Sequence, residues 1–282
     1  MLVTDAQVHL WEPSRPDRPW PAGTEVSAHH GVRPHGFSAE EMLAEMAAAG
    51  VQRAVIVPPS WVGENNATAL EGAGKYPGRF AVMGRFDPRA QDASAQLESW
   101  LKQPHMLGIR MTFNPTRFAG WLDDGSLNPF WGAAERLGIP LMLSVPGMAA
   151  KVRPIAERHP GLTVVVDHMG LVTGTVGAAA FAGFDDLLAL ARYPKVLVKV
   201  SSSPSYSTQP YPHKDLHAPL RRVYDNFGPR RMLWGSDITR LPGTYRECLA
   251  LYQEALDFLS AEDKEWITGK ALAEALHWPE DG

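Results

Sequence analysis

A single cysteine, Cys248, stands among 282 residues. No disulfide within the chain and no cysteine-based zinc site can form, which fits a reducing compartment. Charge of one sign is also scarce. A formal net charge of -4 excludes a basic field for nucleic acid or for an anionic membrane. No apolar run reaches the roughly 18 residues of a membrane span; the most apolar stretch, Ile139–Ala150, is broken by Pro140 and Pro146. The strand-like run Leu2–Trp11 begins at once, leaving no room for a signal peptide, so a cytoplasmic location is expected. The sequon Asn66-Ala67-Thr68 is accordingly read as coincidence. No G-x-G-x-x-G follows any apolar run, which removes the usual dinucleotide site. No G-x-S-x-G elbow surrounds Ser201-Ser202-Ser203, which removes a serine nucleophile. What is present is an ordinary globular balance, 45% hydrophobic and 21% charged, in a length that suits one domain over residues 1–282. The expected partner is a small molecule, with no nucleic acid and no membrane, and with homo-oligomerisation left open.

Short apolar runs alternate with amphipathic stretches. Strands are expected near Leu2–His9, Arg53–Pro58, Arg79–Arg85, Leu107–Thr112, Ile139–Ser144, Leu162–His168, Lys195–Ser201 and Arg231–Ser236. Helical patterns between them include Ser38–Ala49, Ala93–Gln103, Asn128–Leu137, Met148–Arg158 and Leu216–Phe227. Ser38 with Glu41 makes a capping box, and Gly50, Gly138 and Gly161 fall where left-handed C-caps would sit. Alternating strand and helix argues for parallel strands joined by right-handed crossovers. Eight such strands predict an α/β fold, a single (β/α)8 TIM-type barrel. Long loops are expected after strands one, four and seven: Glu12–Phe37, Phe113–Leu127 and Ser202–Asp215. All three follow the carboxyl end of a strand, the face on which such barrels bind substrate.

Polar residues gather at those same ends. Alternation puts Asp5, Gln7 and His9 on one face of the first strand, opposite Val8 and Leu10, and pairs Arg110 with Thr112 on the fourth. The sixth strand ends in Asp167-His168, the seventh carries Lys199 and Ser201, and the eighth ends in Gly235-Ser236-Asp237. Burying these groups costs free energy unless they pair with each other or bind something.

Asp5-Ala6-Gln7-Val8-His9-Leu10-Trp11 resembles the D-x-H-x-H-x-W opening of the amidohydrolase-2 family. Gly108-Ile109-Arg110, Val166-Asp167-His168-Met169-Gly170, Val198-Lys199-Val200-Ser201 and Trp234-Gly235-Ser236-Asp237 resemble its later strands in the same order. The branch most resembled is that of 2-pyrone-4,6-dicarboxylate lactonase and the sugar-acid lactonases. That resemblance implies a barrel hydrolase of small lactones, with the strand-eight Asp as general base, the strand-one and strand-six His polarising the carbonyl, and an Arg gripping a carboxylate. The sequence departs from the metal-dependent pattern twice: Gln7 replaces the first strand-one histidine, and Ser144 ends strand five where a His is expected. Only His9, His168 and Asp237 remain as candidate ligands. A two-metal site is excluded, and a metal-free site with no cofactor is favoured over one zinc.

In a metal-free reaction Asp237 would take a proton from water, while His9, His168 and the Gln7 amide would direct N–H donors at the carbonyl oxygen. Arg110 suits a substrate carboxylate, and Lys199 would add positive potential or neutralise Asp237. With the whole chain acidic, attraction for an anion must be local, from Arg85, Arg110, Lys199 and Arg240. Trp61, Asn65 and Asn66 follow strand two and could line the pocket, although an Asn there can equally cap a helix. Tyr206 and Tyr211 could close over a substrate ring or pack the long loop that also holds His213. His29, His30 and His35 are read as solvated loop histidines rather than ligands. Cys248 belongs to the helical run Tyr245–Leu259 and reads as core, and Trp266–Trp278 reads as a terminal helix over the barrel exterior. Two alternatives stay open: a mononuclear zinc hydrolase or non-oxidative decarboxylase of the same superfamily, and a small-molecule-binding barrel that has lost catalysis.

Overall fold

The structure, a computed structural model, describes residues 2–26, 33, 35–113 and 118–278. His29 and His30 lie outside these residues; His35 is exposed. In chain order the elements are β1 (Thr4–Val8), α1 (Ala39–Ala49), β2 (Arg53–Ile56), α2 (Ala67–Lys75), β3 (Phe80–Arg85), α3 (Ala93–Ser99), β4 (Met106–Thr112) and α4 (Asn128–Leu137). They continue with β5 (Leu141–Ser144), α5 (Arg153–Arg158), β6 (Val164–Val166), α6 (Phe184–Leu188), β7 (Val196–Ser201), α7 (Lys214–Phe227), β8 (Met232–Gly235), α8 (Tyr245–Ala250), α9 (Ala261–Glu265) and α10 (Ala271–Ala275). All neighbouring strands pair in parallel in the order β1 to β8. The expected barrel is present.

Each strand is apolar on both sides because it is covered on both. Residues such as Ala54, Ile56, Val164, Val166, Val198 and Trp234 pack outward against the helices. The inward set, including Ala6, Val55, Met83, Met142, Val165 and Leu233, fills the barrel. α10 and the residues after it belong to that inner cluster: Ala271, Leu272, Leu276 and Trp278 plug the amino-terminal end of the barrel. They form a floor rather than the outer cover expected from sequence. Arg53 lies 3.7 Å over the Trp278 ring there, a cation–π contact that shields a buried guanidinium.

The capping box of Ser38 and Glu41 is formed, and Gly50 and Gly138 end their helices at φ 76° and 66°. Gly161 does not cap α5, whose last turn ends at His159; its N–H donates instead to Glu135 Oε1 at 2.7 Å. Asn66 does not cap α2 either. Its amide donates to the Arg85 carbonyl and accepts from the Arg85 N–H, at 2.9 and 2.7 Å, and so pins the end of β3.

One departure shapes the site. The β1–β2 register shifts between Asp5 and Val8, and a bulge of this kind breaks the two-residue alternation. Ala6 therefore packs inside the barrel, and Asp5 turns to the seam between β1 and β8. Its carboxylate accepts from Gln7 N (2.9 Å), Ser236 N (2.8 Å), Ser236 Oγ (2.5 Å) and Tyr245 Oη (2.8 Å). The seam is tight enough that a Cβ on Gly235 would lie 3.1 Å from Gln7 N and from Ser201 Cβ.

Candidate active site

Gln7, His9, Arg110, Asp167, His168, Lys199 and Asp237 are all buried at the carboxyl ends of β1, β4, β6, β7 and β8. Lys199 is the clearest case of satisfied burial. Its ammonium forms an ion pair with Asp167 Oδ1 at 2.7 Å and donates to Gln7 Oε1 at 2.7 Å and to Met142 Sδ at 2.9 Å. Asp167 also receives Arg110 Nε at 3.0 Å. Burial alone would raise the Asp167 pKa, but the Lys199 and Arg110 cations overcome it and hold the carboxyl down to about 2. Lys199 thus neutralises Asp167; of the two roles expected for it, positive potential or neutralising Asp237, the second does not match this pairing. Asp167 had no assigned role in the sequence; it lies directly before His168.

The Lys199 contact propagates. An ammonium can only donate, so Gln7 must present its carbonyl oxygen to Lys199 and its NH2 elsewhere. That NH2 points at His9 Nε2, 3.1 Å away. An amide nitrogen can only donate, so His9 Nε2 accepts, and the ring proton sits on Nδ1. The Nδ1–H in turn donates to the Val57 carbonyl at 2.6 Å. Burial, with Asp237 opposing it, lowers the His9 pKa to about 4, so the ring is neutral near pH 7. The expectation that His9 directs an N–H donor at a carbonyl therefore fails: that N–H is committed to Val57.

Asp237 lies between two imidazoles and a guanidinium. Oδ1 is 3.4 Å from His9 Nε2, and Oδ2 is 3.8 Å from His168 Nε2. Oδ2 also accepts from Ser202 Oγ at 3.2 Å and from Arg240 Nη1 at 3.0 Å. Ser201 Oγ lies 2.7 Å from His168 Nδ1. With a carboxylate on the far side, the ring is best satisfied with its proton on Nε2 and with Ser201 donating to Nδ1. Burial, again opposed by Asp237, lowers the His168 pKa to about 3.

The backbone is strained here. His168 (φ 51°), Met169 (φ 56°), Ser202 (φ 54°) and Asp237 (φ 50°) adopt the left-handed region just beyond β6, β7 and β8. For residues other than glycine this costs about 1–3 kcal/mol each and persists only where surroundings enforce it. Asp237 N donating to the Gln7 carbonyl at 2.8 Å is one such restraint.

Beside this group a cleft of about 140 Å³ opens over the ends of β3 and β4, lined by Glu64, Arg85, Arg110, Phe113, Phe118 and Trp121, among others. Arg110 spends Nε on Asp167 and lines the cleft. Arg85 donates to Thr112 Oγ1 at 3.3 Å and lies 3.6 Å from Glu64. Trp61 is buried with its ring centroid 6.4 Å from that of His9, and packs edge-on against Trp11. Tyr206 is fully buried, with burial raising its pKa against the Arg240 charge. It packs in the loop after β7 instead of standing open over a substrate. Cys248 is core, its thiol pushed well up by burial.

The carboxyl end of a parallel eight-stranded barrel thus carries a buried carboxylate flanked by two imidazoles, with a buried cation close by. The sequence profile of the amidohydrolase family matches residues 4–273, and the chain belongs to that family. It is 30% identical over 276 residues to the L-fucono-1,5-lactonase of Burkholderia ambifaria, covering 94% of this chain and 92% of that one. It is 28% identical over 200 residues to the 4-sulfomuconolactone hydrolase of Hydrogenophaga intermedia, covering 70% and 64%. In fold it matches the crystal structure of an amidohydrolase from Burkholderia multivorans with bound zinc, with a TM-score of 0.83, 22% identity, and 99% and 100% of the two chains covered. The chain is a hydrolase of this superfamily.

Proposed function

We propose that this hydrolase opens a small lactone bearing a carboxylate, by general-base activation of water and without a resident metal. The observation that carries the reading is Asp237: a buried carboxylate at the barrel mouth, Oδ2 held by Ser202 and Arg240 and Oδ1 turned toward His9. Asp237 takes a proton from water as the water oxygen bonds to the lactone carbonyl carbon. The carbonyl π electrons move onto oxygen, where the His168 Nε2–H donates. Collapse of the tetrahedral intermediate breaks the ring C–O bond, and the proton on Asp237 passes to the departing alkoxide. Arg110, reaching into the cleft from its anchor on Asp167, grips the substrate carboxylate. The lactone names of the two curated relatives support the substrate class.

The donor set does not fit a metal centre. Gln7 turns its NH2 toward His9 where a ligand lone pair would be needed, a guanidinium already sits on Asp237, and Ser144 ends β5. Among the described residues no group of three or more His, Cys, Asp or Glu side chains is gathered so as to hold a metal ion. A cytoplasmic setting belongs to the same reading and is supported by the lone buried Cys248; among the described residues no helix is long and apolar enough to cross a membrane.

The test is a panel of small lactones, each as carboxylate and as neutral analogue, assayed before and after treatment with a chelator. Turnover that survives chelation, with kcat/KM about tenfold or more higher for the carboxylate member of a pair, is expected. Loss of activity on chelation with recovery on adding zinc refutes metal independence, and no turnover of any lactone refutes the substrate class.

A further inference from the structure

Arg240 sits on the turn that follows β8, three residues beyond Asp237. Its N–H donates to the Asp237 carbonyl at 2.8 Å, which bends the chain back so that the guanidinium lies over the carboxylate. The side chain is 8% exposed. Nη1 donates to Asp237 Oδ2 at 3.0 Å and Nη2 to Thr173 Oγ1 at 3.1 Å. Thr173 belongs to residues 167–183 between β6 and α6, and Ser205, from the segment after β7, donates through Oγ to the Arg240 carbonyl at 3.0 Å. The guanidinium therefore ties the loop after β6 to the Asp237 carboxylate after β8, while Ser205 holds the Arg240 backbone to the segment after β7.

We propose that Arg240 is the positioning residue for Asp237. By occupying Oδ2 together with Ser202, it fixes the carboxylate rotamer and leaves Oδ1 as the oxygen presented beside His9. The planar fork is what allows this: it satisfies two acceptors in fixed directions, and an ammonium cannot reproduce that geometry. A carboxylate with both oxygens equivalent and mobile would lose the orientation that makes proton transfer efficient, and misplacement by about 1 Å can cost roughly 10²-fold in rate. This inference rests on the reading of Asp237 as the general base. It reverses the expectation that Arg240 serves to attract substrate.

The test has two arms. Crystal structures of the Arg240→Lys and Arg240→Ala proteins need no substrate; in both, the Asp237 carboxylate is expected to turn, separating Oδ2 from Ser202 Oγ. An Asp237 side chain unmoved in both overturns the proposal. In the kinetic arm, Arg240→Lys is expected to lower kcat on the best lactone roughly 10- to 100-fold with KM within about twofold. Added guanidinium is expected to restore part of the rate to Arg240→Ala. Thr173→Val, which removes only the second anchor of the fork, is expected to lower kcat in the same direction by less, and it supplies the kinetic comparison should Arg240→Ala not fold. A rise in KM with kcat unchanged overturns the proposal, because it makes Arg240 a substrate contact. Absence of lactone hydrolysis by the unsubstituted protein counts against the lactone reading alone, and the crystallographic arm still decides the role of Arg240.

Discussion

At the scale of single residues, two carboxylates at the barrel mouth have opposite fates, decided by what surrounds them. Asp167 is enclosed by Lys199 and Arg110 and is spent on structure, whereas Asp237 shows one oxygen to Arg240 and Ser202 and the other to His9. Asp237→Asn keeps the shape and removes the basicity, so kcat is expected to fall about 10²–10⁴-fold with binding retained. Near-normal turnover in that variant would remove Asp237 from the chemistry. Lys199→Met should instead act on stability, because it strands the Asp167 charge beside one remaining cation. Breaking a buried pair in this way costs about 3–5 kcal/mol, measurable by denaturant titration; a loss well under 1 kcal/mol would mean that the pair is not buried in solution. Every residue of this set was visible in the sequence as a polar side chain at the end of an apolar strand. Their pairing was not, because two residues on different strands meet only once the barrel closes: Lys199 touches Gln7 across 192 positions. Arg240 was visible only as a nearby cation, since the turn that folds it back on Asp237 leaves no hydropathy signal.

At the scale of elements, the strands were the most legible part, because burial on both faces writes a continuous apolar run that tertiary context does not override. β4 and β7 begin within one residue of the expected positions and end at Thr112 and Ser201 as expected. The bulge in β1 was not legible. A register shift depends on how β1 meets its neighbours, and Asp5 looks like any other alternating polar position until it is seen accepting four hydrogen bonds at the seam. The same blindness placed the terminal helix outside the barrel, since an apolar helix face does not say which apolar surface it covers. The seam makes its own prediction. Asp5→Ala leaves the Gln7 and Ser236 N–H groups buried without their acceptor, at about 1–3 kcal/mol each, so a loss of at least ~2 kcal/mol is expected. Amide exchange at Ser236 and Asp237 should accelerate together, because both lie on the β8 side of the seam. Unchanged exchange at both would show that the seam holds without Asp5.

At the scale of the whole molecule, the buried titratable groups set how stability responds to acid. His9 and His168 have pKa values lowered by burial to about 4 and about 3 in the folded protein, against 6.5 unfolded. As pH falls through 6.5 the unfolded chain takes up two protons that the folded barrel refuses, so stability is full above 6.5 and declines as pH drops toward those folded values. Asp5 works in the opposite sense. Burial, partly offset by its hydrogen bonds, raises it to about 6 from 3.8, so the folded state binds its proton first and gains stability as pH falls from 6 toward 3.8. Surface carboxylates such as Glu40, lowered chiefly by its hydrogen bond from Lys75, begin to count only below their unfolded value of 4.5. Between 4.5 and 6.5 the balance is thus two histidines against one aspartate, and the melting temperature is expected to fall as pH is lowered across that window. Three proteins separate the contributions: the unsubstituted chain, the His9→Gln/His168→Gln double variant and Asp5→Asn. The double variant should lose the decline or reverse it, since only Asp5 then titrates in the window. Asp5→Asn should steepen it, since the opposing group is gone. Parallel melting curves for all three across pH 4.5–6.5 would show that these buried side chains do not govern the acid response.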